Sequence, residues 1–284
     1  MYVIAGATGH VGSTVARELL AKGKKIRVIT RDKKKGEVYA KQGAEVALGS
    51  LDDRAFLTDA LRGAEGFFAL LPPNMAVPDV YAYQCKAADA IAGAVAEAKV
   101  PHVVLLSSVG ADLEGGTGPI KGLHYLEDAL RNTGTTLTAI RAGMFQENVG
   151  NSVGPAKQQG VLYNFMPTPD VSMPMIATKD IGLLATEQLL AAPKKSEVID
   201  LQGPAYSQRQ IAEKLGSAIG KKLQIVDVPQ TAWLDAMLKG GMPRPFAESY
   251  AEMYGAFGSG KVRPHGDRLV QGKTTLDEVV RTLV

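Results

Sequence analysis

The 284-residue chain has little cysteine, little histidine and little excess charge, and each shortage excludes a class of protein. Its one cysteine, Cys85, cannot form an intrachain disulfide or a cysteine-based metal cluster. Its four histidines are scattered along the chain and lack the spacing of metal ligands, so we expect no metal site. The net charge is only +3, which gives no support to nucleic-acid binding.

Long apolar runs are also missing from the sequence. No stretch is long enough to span a bilayer, and the chain begins with a strand-like segment instead of a charged and then apolar leader. We therefore expect a cytoplasmic protein without a membrane partner. Hydrophobic residues still make up 45% of the chain, which is enough for a large core.

Short apolar runs alternate with helical patterns through the first half of the chain. Strands are predicted at 1–5, 25–30, 44–49, 66–72, 102–108 and 136–143. Helices are predicted between them, including residues 10–22 and an Ala-rich segment from Pro78 to Lys99. Strands that alternate with helices predict a parallel sheet with right-handed crossovers, which is an α/β, doubly wound, Rossmann-type fold.

The pattern changes near residue 150. Gly and Pro are dense between 150 and 175, a helix is predicted at 178–192 and a strand at 198–203, and the remainder is mostly helical. We expect residues 1–150 to form the Rossmann domain and residues 151–284 a smaller, mostly helical substrate-binding region. Parts of 170–203 are expected to return to the first domain.

The segment GATGHVG, residues 6–12, follows the first predicted strand and opens a helix. Gly6 allows a tight turn, Gly9 lets the backbone approach a pyrophosphate, and Gly12 lets the helix pack on the strand. The helix N-terminus offers N–H groups and a positive dipole end to phosphates. The alternative is a structural turn without a ligand. The candidate phosphate site consists of Gly6, Thr8, Gly9, His10, Val11 and Gly12.

The end of the second strand indicates which dinucleotide binds. An NAD site has an Asp or Glu there for the ribose 2′-hydroxyl, whereas this strand ends in ITRDKKK. Arg31 and Lys33 are assigned to a 2′-phosphate, because a guanidinium pairs with phosphate through two hydrogen bonds. Lys34 and Lys35 are assigned to a solvated helix start, and Asp32 to pairing with a neighbouring lysine. The first domain is therefore predicted to bind NADP, with NADPH preferred over NADH.

Four segments resemble the NmrA-like branch of the atypical short-chain dehydrogenases/reductases. They are GATGHVG, RAGMFQENV at 141–149, PMIATKDIG at 174–182 and LKGGMPRPFAESYAEMYGAF at 238–257. The last is similar to the NAD(P)H-dependent quinone and triphenylmethane-dye reductases of that branch. The resemblance implies a Rossmann domain, a small C-terminal region and a cleft between them at the carboxyl ends of the strands. It also implies a small aromatic substrate.

The resemblance also implies which residues line that cleft. Segment 70–74 covers the cofactor in relatives, so Leu71 and Pro72 are assigned to cofactor binding. Ser107 and Ser108, at the end of the fifth strand, are assigned to cofactor binding as well. Segment 142–148 follows the sixth strand beside the nicotinamide pocket. Gly143 and Phe145 of this segment are assigned to cofactor binding. Phe145 and Asn148 are assigned to substrate binding, with plain packing as the alternative.

Relatives often have Gly-Asp after the third strand, near the adenine. Ser50 departs from that pattern, so a carboxylate contact to adenine is not expected here. Asp52 is instead expected to cap or begin the next helix.

The catalytic acids of typical relatives are absent. A Tyr-x-x-x-Lys pair would need a lysine four residues after Tyr125, where Ala129 stands, and the lysine of isoflavone-reductase-like relatives falls at Leu123. Hydride transfer to a quinone or dye needs little from the protein, because the cofactor carries the chemistry and water can supply the proton.

The remaining proton donors near that point are Lys121, His124 and Tyr125. Glu127 lies three residues after His124, so its carboxylate is expected to orient the imidazole. These residues are the candidate catalytic groups, and a surface helix with a casual ion pair is the alternative.

In the C-terminal region, ordinary core packing or a cleft for a flat apolar substrate would explain Trp233, Met237, Met242, Phe246, Tyr250 and Tyr254. Of these, Trp233, Met242 and Phe246 are assigned to the substrate wall. Two functions remain open. The first is an NADPH-dependent reductase of quinones, azo dyes or triphenylmethane dyes. The second is a non-catalytic NADP(H) sensor that binds a protein partner, which the missing Tyr-x-x-x-Lys pair also fits.

Overall fold

The structure is a computed structural model that describes residues 1–191 and 193–284. Its strands are β1 Tyr2–Ile4, β2 Ile26–Thr30, β3 Glu45–Leu48, β4 Gly66–Leu70, β5 His102–Ser108, β6 Thr136–Ala142, β7 Met144–Phe145, β8 Val161–Asn164, β9 Met173–Ile176, β10 Glu197–Gln202, β11 Ala205–Tyr206, β12 Gln224–Asp227 and β13 Arg268–Gln271.

The helices alternate with these strands in the first half of the chain and dominate the second. They are α1 His10–Ala21, α2 Lys33–Ala40, α3 Arg54–Leu61, α4 Val80–Glu97, α5 Ile120–Arg131, α6 Gly150–Gln159, α7 Thr178–Ala191, α8 Gln208–Ile219, α9 Trp233–Lys239, α10 Arg244–Gly258 and α11 Leu276–Leu283. Short 3₁₀ turns lie at Gln146–Val149 and Gln230–Ala232. Residue 192, the last of the helix predicted at 178–192, lies outside the described residues.

A parallel sheet forms the centre of the molecule. Within the described ranges it has eight strands in the order β13-β10-β6-β5-β4-β1-β2-β3, so the chain winds outward from β1 in both directions. Helices α3, α4 and α5 cover one face, and α1 and α7 cover the other. Successive strand residues face opposite layers, as Phe67 and Phe68 do. The predicted doubly wound fold is confirmed, and each of the first six strands lies within about two residues of its prediction.

Two strands of this sheet come from beyond residue 150. Strand β10 pairs with β6, and β13 pairs with β10 at the sheet edge. Strand β13 is not predicted from the sequence, because its residues RLVQ are mostly exposed and form no apolar run. The backbone N–H of Gly266 donates to Asp200 beside it. The division into a cofactor-binding part, residues 1–150, and a substrate-binding part, residues 151–284, stays a prediction.

The remaining C-terminal elements form a cap. Two small sheets, β11-β9-β7 and β12-β8, pack with α6, α8 and α11 around one apolar cluster. Helices α9 and α10 form a second cluster around Trp233, Met237 and Ala247. Among the described helices, none has both the length and the apolar character that a bilayer crossing requires.

The N-caps of two helices differ from the sequence-based expectation. Asp32 accepts a hydrogen bond from the Lys35 backbone N–H at 3.2 Å, so it is the N-cap of α2 and does not pair with a lysine side chain. Asp53, and not Asp52, is the N-cap of α3, because its carboxylate accepts from the Phe56 N–H at 3.0 Å. Side-chain capping depends on the local backbone turn, which neighbouring aspartates do not reveal in a sequence.

Gly12 lies where α1 crosses the turn that follows β1. A β-carbon at this position would lie 2.3 Å from the Gly6 carbonyl oxygen and 2.8 Å from that of Ala5. Both are backbone atoms, so neither can move aside cheaply. The close approach of α1 to the sheet therefore requires glycine here.

We expect Gly12→Ala to lower the free energy of unfolding by about 1–3 kcal/mol, the usual cost of overpacking a tight contact. Urea denaturation measures the change. Gly115→Ala is the control, because Gly115 has no positive φ and, apart from its chain neighbours, no described atom lies within 4 Å of a β-carbon at this position. It should leave stability unchanged or raise it by up to about 1 kcal/mol, because alanine restricts the unfolded chain more than glycine does. Equal stability of Gly12→Ala and wild type would contradict the packing account.

Candidate functional site

The loop after β1 lies at the edge of the sheet where the parallel strands end. Gly6 has a φ of +62°, and a β-carbon there would lie 2.4 Å from Leu70 Cδ2. Gly9 is different: apart from its chain neighbours, the one described atom within 4 Å of a β-carbon would be the Gly6 carbonyl oxygen, at 3.4 Å. Protein packing therefore explains glycine at positions 6 and 12 but not at position 9. A ligand that approaches the backbone would explain it.

The first turn of α1 is open to such a ligand. Gly9 is the N-cap of the helix, and within the described ranges no side chain caps this turn. Thr8 is exposed next to it, whereas Val11 is buried. Uncapped N–H groups at a helix N-terminus, together with the helix dipole, favour an anionic group.

Positive charge lies on two sides of this loop. Arg31 is exposed directly after β2, close enough to Tyr83 for its charge to affect that phenol. Burial and the charge of Asp52 raise the pKa of Tyr83, and Arg31 opposes that rise. A shallow groove beside the loop is lined by Thr8, Arg17 and Lys35. Lys33, assigned to the phosphate site, is exposed at the start of α2 and does not line this groove, whereas Lys35 does.

A cavity of about 360 Å³, called here the strand-end cavity, opens beside the loop. Its floor comes from the ends of β4, β5 and β6, and Val80, Tyr83 and Gln84 of α4 close one side. The structure brings together in its wall six residues that the sequence assigned to the cofactor site: Leu71, Pro72, Ser107, Ser108, Gly143 and Phe145.

A second cavity of about 460 Å³, called here the cap cavity, lies under the C-terminal region. Asn148, Met166 and Met175 line it, together with Tyr254 and Phe257 of α10. The two cavities adjoin, because the same residues line both: Ser108, Ile120, Gly143, Phe145 and Tyr250. Adjoining cavities of this size suit two small molecules in contact.

A buried ion pair lies behind the strand-end cavity. Glu127 of α5 is 2% exposed and accepts two hydrogen bonds from Arg141 of β6, from Nε at 3.0 Å and from Nη2 at 2.8 Å. Ser107 Oγ donates to the same carboxylate at 2.6 Å, and Arg131 adds a contact at 3.2 Å. This network joins α5 to the ends of β5 and β6.

The expectation that Glu127 orients His124 is wrong, because Glu127 faces the core. His124 Nδ1 lies 2.9 Å from the Ala111 carbonyl oxygen, and its Nε2 lies 3.5 Å from Asp128. Helical spacing alone cannot tell a buried carboxylate from an exposed one, and the partner of Glu127 is 14 residues away in sequence.

The other two candidate donors of α5 also lie outside both cavities. The Tyr125 hydroxyl donates to Asp89 at 2.9 Å, and this hydrogen bond raises the pKa of Tyr125. Lys121 Nζ lies 4.5 Å from the centre of the Tyr81 ring. The residues of α5 that do line the strand-end cavity are apolar, namely Ile120 and Leu123.

The predicted substrate wall is divided between cavity and core. Phe246 lines the strand-end cavity and Asn148 the cap cavity. Trp233 is 4% exposed, and its indole N–H donates to the Val228 carbonyl at 2.8 Å. Trp233 and Met242 both pack in the α9–α10 cluster and line neither cavity.

Tyr250 and Tyr254 were expected to pack in the core more readily than to line a ligand site, and both line the cavities. Their signal in the sequence is the four-residue spacing of aromatic residues in FAESYAEMY, which places Phe246, Tyr250 and Tyr254 along one face of α10.

In the part of the chain that the structure describes, no group of three or more His, Cys, Asp or Glu side chains comes close enough to hold a metal ion.

The sequence pattern of the NmrA-like family matches residues 2–280. The chain belongs to the NmrA-like family. It is 26% identical to the NAD(P)H azoreductase of Xenophilus azovorans over 255 residues, which are 89% of this chain and 86% of that protein. It is also 26% identical to quinone oxidoreductase 2 of Escherichia coli K12 over 259 residues, 89% of this chain and 86% of that protein.

A solved structure shows the same fold. Triphenylmethane reductase from Citrobacter sp., crystallised with NADP(H), superposes with a TM-score of 0.83 at 21% identity, and the match covers 100% of both chains. The predicted resemblance to this family is confirmed.

We expect Glu127→Ala to lower the free energy of unfolding by about 3–5 kcal/mol, because it removes the carboxylate that hydrogen-bonds the buried Arg141 guanidinium and leaves Asp112, 3.7 Å away, as its nearest acidic group. Glu45→Ala is the control. Its carboxylate pairs with Arg27 at 2.6 Å but is 55% exposed, so its loss should cost at most about 1 kcal/mol. Urea denaturation measures the free energy of unfolding of both variants. Equal losses of stability would contradict the view that the Glu127–Arg141 pair is a buried ion pair.

Proposed function

We propose that this chain is an NADPH-dependent reductase that delivers hydride to a flat, apolar electrophile such as a quinone, an azo dye or a triphenylmethane dye. The observation that carries the proposal is the junction of the two cavities at the strand ends, where Leu70 of the strand-end cavity lies next to Gly6 of the loop that leads into α1. One cavity suits a nicotinamide and the other an acceptor in contact with it.

The residues around the loop fit a dinucleotide. The backbone at Gly9 and the first turn of α1 would hold the pyrophosphate, and Leu71 and Pro72 would cover the ribose. Arg31 would bind the 2′-phosphate, with Lys35 in place of Lys33 as the second cation nearby. When bound, NADPH supplies the hydride. The relatives whose names include NAD(P)H or a complex with NADP(H) support this choice.

The cap cavity fits an aromatic acceptor better than a polar metabolite. Most of its wall is apolar or aromatic, including Phe145, Met175, Tyr254 and Phe257, and the amides of Asn148, Asn151 and Gln208 lie among these side chains. Aromatic and methionine side chains pack well against flat rings of different shape. Azo compounds, quinones and triphenylmethane dyes, after which the similar reductases are named, all have such rings.

Steady-state NADPH oxidation tests the proposal, with a panel that contains a benzoquinone, a naphthoquinone, an azo dye and a cationic triphenylmethane dye. Turnover of at least one acceptor class above the rate without enzyme is the expected result. NADPH binding without turnover of any acceptor would contradict the proposal and would favour the NADP(H) sensor.

We expect Arg31→Ala to weaken NADPH binding by about tenfold to a hundredfold, because a charge-assisted hydrogen bond contributes about 1.5–3 kcal/mol. NADH lacks the 2′-phosphate, so its affinity should stay unchanged. Lys34→Ala removes the same charge from an exposed position two residues beyond Asp32 and should have a much smaller effect. Calorimetric titration that shows equal losses for both cofactors would refute the role of Arg31.

A further inference from the structure

One face of α10, a helix of the cap, forms part of the wall of both cavities. Phe246 lines the strand-end cavity, Tyr250 lines both cavities, and Tyr254 lines the cap cavity. The Tyr250 ring lies between its neighbours on this face, with ring centres 6.1 Å from Phe246 and 6.4 Å from Tyr254. Tyr250 therefore stands at the junction where cofactor and acceptor would meet.

The position of Tyr250 is set by a backbone contact. Gly118, in the turn before α5, has a φ of +58°, and a β-carbon there would lie 2.0 Å from the Ser249 carbonyl oxygen. The absence of a side chain at Gly118 thus lets α10 lie directly against the start of α5. Because Ser249 precedes Tyr250, this contact holds the phenol over the strand ends.

Two of the residues that line both cavities carry a hydroxyl group. Ser108 Oγ donates to the Val109 carbonyl at 3.0 Å, so its proton is already engaged. The Tyr250 hydroxyl makes no hydrogen bond to any side chain or backbone group that the structure describes, and burial raises the pKa of this phenol. It therefore keeps its proton at neutral pH and has that proton available for a ligand.

We propose that Tyr250 is the proton donor of this enzyme, an inference that rests on the proposed reductase function. Reduction of a quinone adds one hydride and one proton. As the hydride is added, negative charge develops on a quinone oxygen, and the Tyr250 O–H bond breaks to protonate it. The electron pair of that bond stays on the phenolate, which then takes a proton from water. An azo bond is reduced with the same balance, with the proton added to nitrogen.

The role of Tyr250 as proton donor can be tested by comparing an acceptor that needs a proton with one that does not. A cationic triphenylmethane dye takes hydride at its central carbon and becomes the neutral leuco dye, so no proton is transferred. A residue that packs against the acceptor affects both kinds of substrate, whereas a proton donor affects the quinone alone.

Single-turnover reduction at saturating NADPH, with Tyr250→Phe and wild type, provides the test. We expect the quinone rate to fall about tenfold to a hundredfold, which is at or below the lower end of the roughly hundredfold to ten-thousandfold contribution of a general acid, because water replaces the phenol in part. The rate with the cationic dye should stay within about twofold, and NADPH affinity should be unchanged. Tyr81→Phe, an exposed phenol outside both cavities, is the control and should match wild type with both acceptors.

Equal losses with quinone and dye would overturn the proposal, and so would an unchanged quinone rate. Wild-type enzyme that reduces only the cationic dye would also overturn it, because no proton would be needed. If wild type reduces only quinones, a small weak acid such as imidazolium should restore the Tyr250→Phe rate, and failure of that rescue rejects the proposal. Wild type that reduces no acceptor rejects the reductase function itself.

Discussion

The ion pair between Glu127 and Arg141 determines how α5 faces the functional site. The carboxylate accepts from Arg141 and from Ser107, which lie at the ends of adjacent strands. With Glu127 held in the core, Ile120 and Leu123 face the strand-end cavity, while His124 and Tyr125 contact Ala111 and Asp89 elsewhere. A buried charge pair of this kind tolerates little rotation of the helix, because any turn would separate the two charges in a medium of low dielectric.

This orientation changes where a proton can come from. In typical short-chain dehydrogenases the acid lies in the helix after the fifth strand, and here that helix presents apolar side chains to the cavity. The cap presents the phenol of Tyr250 to both cavities. Gly118 permits the contact between the start of α5 and α10, so the turn before α5 and the cap helix form one unit of the proposed site.

The sequence predicts those parts of the fold that depend on neighbours in the chain. The strands at 102–108 and 136–143 are apolar runs, and glycine at position 12 reflects contacts with the backbone of Ala5 and Gly6 in the same turn. Strand β13 and the direction of Glu127 depend on partners far away in sequence, and no local pattern reveals them. The sequence does not show that Lys35, and not Lys33, lines the groove beside the loop. That difference comes from the turn of α2, which brings Lys35 beside Thr8.

Transfer of deuterium from NADPH labelled at C4 to a cationic triphenylmethane dye tests the central claim, that hydride passes directly between the two adjoining cavities. The new C–H bond at the central carbon of the leuco dye does not exchange with water, so mass spectrometry can detect the label there. The account predicts full retention of deuterium from one of the two C4-labelled stereoisomers and none from the other, because a bound nicotinamide would present one face to the cap cavity. Leuco dye without deuterium from either isomer would contradict it.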